Sequence, residues 1–178
     1  VARVDPGGML TLVVGPVNGS SLADGVHALE ADLSTPEDVT VGPDGALYII
    51  GSDRFWRYES KLDGMEHDFT AEPDIRRNFS GRVLRVNRDG SIPKSNPWLS
   101  RATVDALTFA HGLKDPEGAA IHPVTGELWV VDHGPQGGDE VNVMRAGRNY
   151  GWPVITYGAN YGLGTRIGEG THKPGMEQ

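Results

Sequence analysis

The run Asp132-His133-Gly134-Pro135-Gln136-Gly137-Gly138-Asp139-Glu140 sets carboxylates beside a Gly-Pro turn and a Gly-Gly pair, directly after an apolar strand-like stretch. Glycine tolerates backbone conformations that free carbonyl oxygens for other partners, so the loop offers carbonyl and carboxylate oxygens together. A hard cation such as calcium takes about six to eight oxygen ligands of these kinds. The alternative for Glu140 is a solvated turn acid. His133 sits in the same loop, either as a proton acceptor, since an unperturbed imidazole titrates near neutrality, or as a plain hydrogen-bonding loop residue.

Positioning such a loop requires strands, and the composition points to many short ones. The chain has 178 residues, 38% of them hydrophobic, with 25 glycines and 12 prolines between short apolar runs. That pattern favours an all-β design joined by tight turns. Strand-like runs occupy residues 1–4, 9–14, 38–41, 46–50, 55–58, 82–86, 118–121, 128–131 and 141–144. A weak internal repeat links residues 36–48 and 116–129: Pro-Glu, a strand, a turn containing Pro and Gly, then Leu and an aromatic. Each copy reads as a hairpin that cannot bury its faces alone, and stacking such units radially makes a β-propeller, whose blades repeat every 40 to 50 residues or roughly so. Residues 59–75 and 93–107 read as inserted loops, which leaves about three blades of a larger ring. Tyr48 and Trp129 hold matching places in the two hairpins and are expected in the core.

The net charge of −8 argues against nucleic acid or an anionic membrane surface as partner. No apolar run approaches the roughly 20 residues of a membrane span. The absence of cysteine excludes disulfides and thiol chemistry. The six histidines have no zinc-site spacing, with His111 and His122 reading as turn or surface residues. Phosphate-loop, Rossmann and Gly-x-Ser-x-Gly signatures are missing, against nucleotide and serine-hydrolase chemistry. Val1 starts inside a strand-like run and residues 171–178 carry no capping signal, so both ends are expected to be cuts through a longer chain.

Four motifs in order carry a resemblance: residues 81–93 (GRVLRVNRDGSIP), 112–118 (GLKDPEG), 132–140 (DHGPQGGDE) and 149–153 (NYGWP). Together they resemble the soluble pyrroloquinoline-quinone (PQQ)-dependent sugar dehydrogenases, the aldose sugar dehydrogenase and soluble glucose dehydrogenase group. The resemblance covers residues 76–178, whereas residues 1–75 resemble NHL-repeat propeller blades. It implies a six-bladed propeller in the periplasm or secreted. It also implies oxidation of aldose sugars at the anomeric carbon to lactones, with PQQ and calcium as cofactors and an external electron acceptor.

Carried over by residue, the resemblance makes Glu140 (carboxylate) and Tyr150 (main-chain carbonyl) calcium ligands, with the carbonyls of Gly134 and Pro135 helping to hold the cofactor's calcium. It makes Lys114, Asp115 and Tyr161 contacts of the quinone. Lys114 and Asp115 stand where the family has Arg and Asn. Lysine keeps the positive charge but loses the planar fork, and Asp adds a negative charge near an anionic ligand; a surface ion pair is the other reading of these two. The histidine that serves the family as base is matched by Ser34, and His27 is out of register to replace it. Trp152 either lines a sugar site or plugs the space between blades. The alternative function is a non-catalytic NHL-like propeller that binds carbohydrate or protein through its loop face.

Overall fold

Short alternating strands and glycine turns leave little scope for helix, and a computed structural model of the chain describes residues 2–4, 6, 10–12, 36–52, 81–100 and 106–177. Among the described residues all regular structure is strand, in three antiparallel sheets. β1 (Ala2–Val4) pairs with β2 (Leu10–Leu12). β3 (Pro36–Val41), β4 (Leu47–Gly51), β5 (Arg82–Val86) and β6 (Thr108–His111) form a four-stranded sheet. β7 (Pro116–Ile121), β8 (Leu128–Asp132) and β9 (Glu140–Met144) form a three-stranded one. Each sheet runs in chain order, the meander of a propeller blade. The expected all-β propeller with about three blades is the fold observed.

The internal repeat has a physical counterpart. The β3–β4 and β7–β8 hairpins each shift register just after their Pro-Glu start, between Pro36 and Asp38 and between Pro116 and Gly118. Proline has no N–H for the ladder, so a strand that opens on it tolerates an extra unpaired residue there. Both hairpin turns need a residue at positive φ, met by Gly45 (80°) and Gly126 (73°). The inner strands are joined sideways, the N–H of Ala119 in β7 donating to Asp38 Oδ2 in β3 at 2.8 Å.

The core lies between the second and third sheets. Tyr48, Ile50, Val83 and Ala110 meet Leu128, Val130 and Met144, with Leu113 and Tyr150 closing one end. Fully burying one such large side chain stabilises the fold by about 1.5–3 kcal/mol. Trp129 departs from expectation: it is 38% exposed, against 8% for Tyr48. The blades pack face to back, so the Tyr48 face of one sheet meets the Leu128 face of the next. The equivalent of Tyr48 therefore falls on the far face of the third sheet, where Trp129 stacks on His122 with ring centroids 5.6 Å apart.

His111 also departs from expectation, being buried in β6 with its ring edge-on to Trp98. The sequence reading assigned no strand there. The four residues of β6 alternate too briefly to register, and it is pairing with β5 and a bridge to Asn149 that hold them in place. The expected strand at 55–58, His27, Ser34 and the boundary at residues 75 and 76 lie outside the described residues. No described helix is long and apolar enough to cross a membrane.

Candidate functional site

One end of the third sheet gathers the residues singled out above. Asp132 closes β8, and its partners across the ladder are Pro116, which opens β7, and Glu140, which opens β9. The Asp132 side chain is buried, so its oxygens need partners. Oδ2 accepts the N–H of Lys114 at 3.0 Å and Oδ1 that of Asp115 at 2.7 Å. In return the N–H of His133 donates to the carbonyl of Asp115 at 2.9 Å. One carboxyl and one backbone hydrogen bond thus stitch the 112–115 turn to the 133–139 loop. Burial pushes the Asp132 carboxyl up to about 7; the two N–H donors oppose that rise, and the nearby Glu140 charge adds to it. Sequence reasoning placed Asp132 in the oxygen-rich loop but gave it no part in holding the 112–115 turn. The available signal was an acid ending an otherwise apolar strand immediately before a Gly-Pro turn.

The Lys114 ammonium reaches over this stitch. Its Nζ donates to the carbonyls of His133 at 3.0 Å and Gly134 at 3.1 Å. It also lies 5.9 Å from the centre of the Tyr161 ring, whose hydroxyl sits 3.5 Å from the same Gly134 oxygen. Lys114, Asp132 and Glu140 share a small pocket with Gly134, Pro135 and Gly138. Its other wall is Tyr150, Trp152, Ile155 and Thr156.

Close packing explains the glycines of the loop. A Cβ on Gly134 would stand 2.3 Å from the carbonyl oxygen of Gly138 and 2.5 Å from that of Gly137. One on Gly158 would stand 2.7 Å from the Pro135 oxygen. Gly137 and Gly138 take positive φ, 76° and 75°. The loop is further held by Asp139, whose Oδ1 accepts the Gly134 N–H at 3.0 Å and lies 3.0 Å from His133 Nδ1. His133 therefore directs its exposed ring to Asp139, and its backbone serves the site.

The other named residues fall at different depths. Glu140 accepts from Asn142 Nδ2 at 3.2 Å through Oε2. Tyr150 spends its hydroxyl in the core, donating to Val143 O at 2.7 Å and accepting from Arg145 N–H at 2.9 Å, which leaves its main chain as the part to serve a ligand. Asp115 is 1% exposed, accepts the Ser52 hydroxyl, and is not among the pocket-lining side chains. Trp152 is both buried and part of the pocket wall. No group of three or more His, Asp and Glu side chains positioned for a metal occurs among the described residues, so a cation here would depend on carbonyl oxygens.

Fold and site together define a β-propeller with a small pocket lined by carboxylates and glycines at the end of one blade. A model of the glucose/sorbosone dehydrogenase family matches residues 38–178, and the chain belongs to that family. It is similar to the aldose sugar dehydrogenase YliI of Escherichia coli (strain K12), 40% identical over 83 residues that make up 47% of this chain and 22% of the relative. It is also similar to quinoprotein glucose dehydrogenase B of Acinetobacter calcoaceticus, 43% identical over 77 residues, 43% of this chain and 16% of the relative. A crystal structure of a glucose dehydrogenase superposes with a TM-score of 0.72 at 27% identity, covering 99% of this chain and 46% of that one. The chain thus spans less than half the length of each.

Proposed function

We propose that the protein serves the PQQ-dependent oxidation of aldose sugars at the anomeric carbon to lactones, with calcium in the pocket at the end of β8 and an external acceptor removing the electrons. Membership of the glucose/sorbosone dehydrogenase family supports the reaction class, and the quinoprotein relative supports the cofactor. The observation that carries the reading is the Lys114 ammonium resting on two loop carbonyls, one of which, that of Gly134, is an oxygen that calcium would use. The residues therefore fit a cation, with Gly134 and Pro135 offering carbonyls, Glu140 a carboxylate and Tyr150 its main chain.

When bound, the quinone supplies the two-electron acceptor for the anomeric hydride, and calcium the positive charge beside it. The chain's own residues do the rest. Lys114 offers a point charge to a carboxylate. Tyr161 flanks that ammonium, and Trp152 with Ile155 forms an apolar wall that limits water. Asp132 fixes the turn that carries Lys114 relative to the loop that carries Gly134. Asp115, buried and bound to Ser52, supports that turn from beneath. The position of the family's base is held by Ser34, outside the described residues, and no residue is assigned as acceptor of the sugar hydroxyl proton.

The test is titration of PQQ into calcium-loaded protein, followed by absorbance and melting temperature. A ligand at about 100 times its Kd stabilises the folded state by about 2.7 kcal/mol, so binding raises the melting point measurably. Folded protein whose melting point and quinone spectrum do not change would refute the reading.

A further inference from the structure

The contact between Lys114 and the loop has a consequence for cation binding in this chain. Calcium binds carbonyl oxygens at about 2.3–2.6 Å and needs several of them around one centre. The Lys114 ammonium already takes the Gly134 oxygen at 3.1 Å and the adjoining His133 oxygen at 3.0 Å. Two cations on one carbonyl oxygen would stand a few ångströms apart in a partly buried pocket, where water screens their repulsion poorly. The ammonium also lies 5.9 Å from the centre of the Tyr161 ring, a cation–π contact that favours the seated lysine.

We propose that Lys114 is a built-in cation of this pocket: its ammonium and a divalent ion exclude each other at the Gly134 carbonyl, so that calcium enters only by displacing the lysine. The inference rests on the calcium site of the proposed function and adds a regulator to it. With the lysine seated, the carbonyls of residues 133 and 134 are organised without metal. With calcium seated, the ammonium is released from both carbonyls and becomes available to an anionic ligand.

Calorimetric titration of calcium chloride into chelator-stripped protein tests this, comparing wild type with Lys114→Met, Lys114→Arg and the double variant Lys114→Met/Glu140→Gln. Lys114→Met is expected to bind calcium at least about tenfold more tightly than wild type. Lys114→Arg, which keeps the charge, is expected to stay as weak as wild type, and the double variant to lose the gain. Lys114→Met binding calcium no more tightly than wild type, or a gain that survives Glu140→Gln, overturns the proposal. Wild-type protein gives a second reading that needs no variant to fold: acetylation of Lys114, followed by mass spectrometry, is expected to quicken when calcium is saturating. An unchanged rate at saturation overturns the exclusion. Quinone absorbance is recorded separately, so failure of PQQ to bind the calcium-loaded protein would remove the cofactor reading while the calcium titration still decides the fate of Lys114.

Discussion

Asp132 and Glu140 are partners on the first rung of the β8–β9 ladder, and the first is buried while the second is only partly so. Desolvation of the buried Asp132 carboxyl raises its pKa to about 7, and the charge of Glu140 adds to that rise. The folded state then binds a proton at Asp132 that the unfolded chain, with an ordinary value of 3.8, has released. Between about pH 4 and pH 7 the native state carries the extra proton, so this group's contribution to stability falls as pH rises through that window. The shift corresponds to an upper bound of about 4 kcal/mol. Denaturant unfolding of metal-free protein should show wild type losing stability relative to Asp132→Asn as pH rises from 4 to 7. A difference independent of pH would contradict it.

The same substitution has a cost of its own. Asp132 accepts one N–H on each oxygen, and an asparagine turns an NH2 toward one of those donors. Losing that bond in a buried place costs about 1–3 kcal/mol. Because the bonds fix the Lys114 turn to the Gly134 loop, Asp132→Asn should also loosen that loop. Faster amide exchange at His133 and Gly134 in the folded variant is the measurement, and unchanged protection there would show that the stitch is not what orders the loop.

Lys114→Met should affect the two ligands in opposite directions. It removes the ammonium from the Gly134 carbonyl that calcium needs, and it removes the positive charge offered to a carboxylated quinone. A charge-assisted hydrogen bond is worth about 1.5–3 kcal/mol, so PQQ affinity should fall by roughly ten- to a hundredfold. Absorbance titration at saturating calcium checks this. Equal quinone affinity in the variant would place the carboxylate contact elsewhere.

Tyr48 and Trp129 occupy equivalent hairpin positions and should nevertheless differ in cost when truncated. Tyr48 is buried, packed edge-on against Phe109 at 5.0 Å and covered by the next sheet. Tyr48→Ala should destabilise this chain by about 3 kcal/mol or more, in the range of large-to-small core changes. Trp129, on the uncovered face beside Val131 and Val141, should cost about 1 kcal/mol, chiefly its stacking on His122. Urea midpoints of the two variants decide the matter, and equal costs would mean that the far face of the third sheet is covered in solution.

That contrast separates what each strand carries locally from what only the stacking of blades decides. Strands β5, β8 and β9 were legible within a residue because their alternation and turn glycines are local. The Pro-Glu repeat was legible too, whereas the register shift that follows it in both hairpins came only with the strand pairing. Which side of β8 is inward was not, since alternation defines two faces and only the order of stacked blades says which one is covered. Lys114 and Glu140 share the pocket that the loop's glycines and acids suggested. The role of Asp132 was hidden because its partners are main-chain N–H groups 17 and 18 residues earlier, to which any side chain could belong. Asp115 reads as a ligand-facing acid from its motif, and only the return of residue 52 beneath the turn shows what it holds.

Gly134→Ala and Gly137→Ala separate close packing from backbone conformation. Gly137 has open space where a Cβ would go but sits at φ 76°, so alanine there costs about 1–2 kcal/mol of left-handed strain and leaves the carbonyls in place. At Gly134 the added carbon would meet the Gly137 and Gly138 oxygens at 2.5 and 2.3 Å, backbone atoms that can move only with the loop. The Lys114 contact at Gly134 O moves with them. Calcium affinity, measured by calorimetry on the two folded variants, should therefore fall at least about tenfold for Gly134→Ala and less than about threefold for Gly137→Ala. If Gly137→Ala loses calcium just as strongly, the flexibility of the turn, and not the close approach of its carbonyls to residue 134, is what the cation requires.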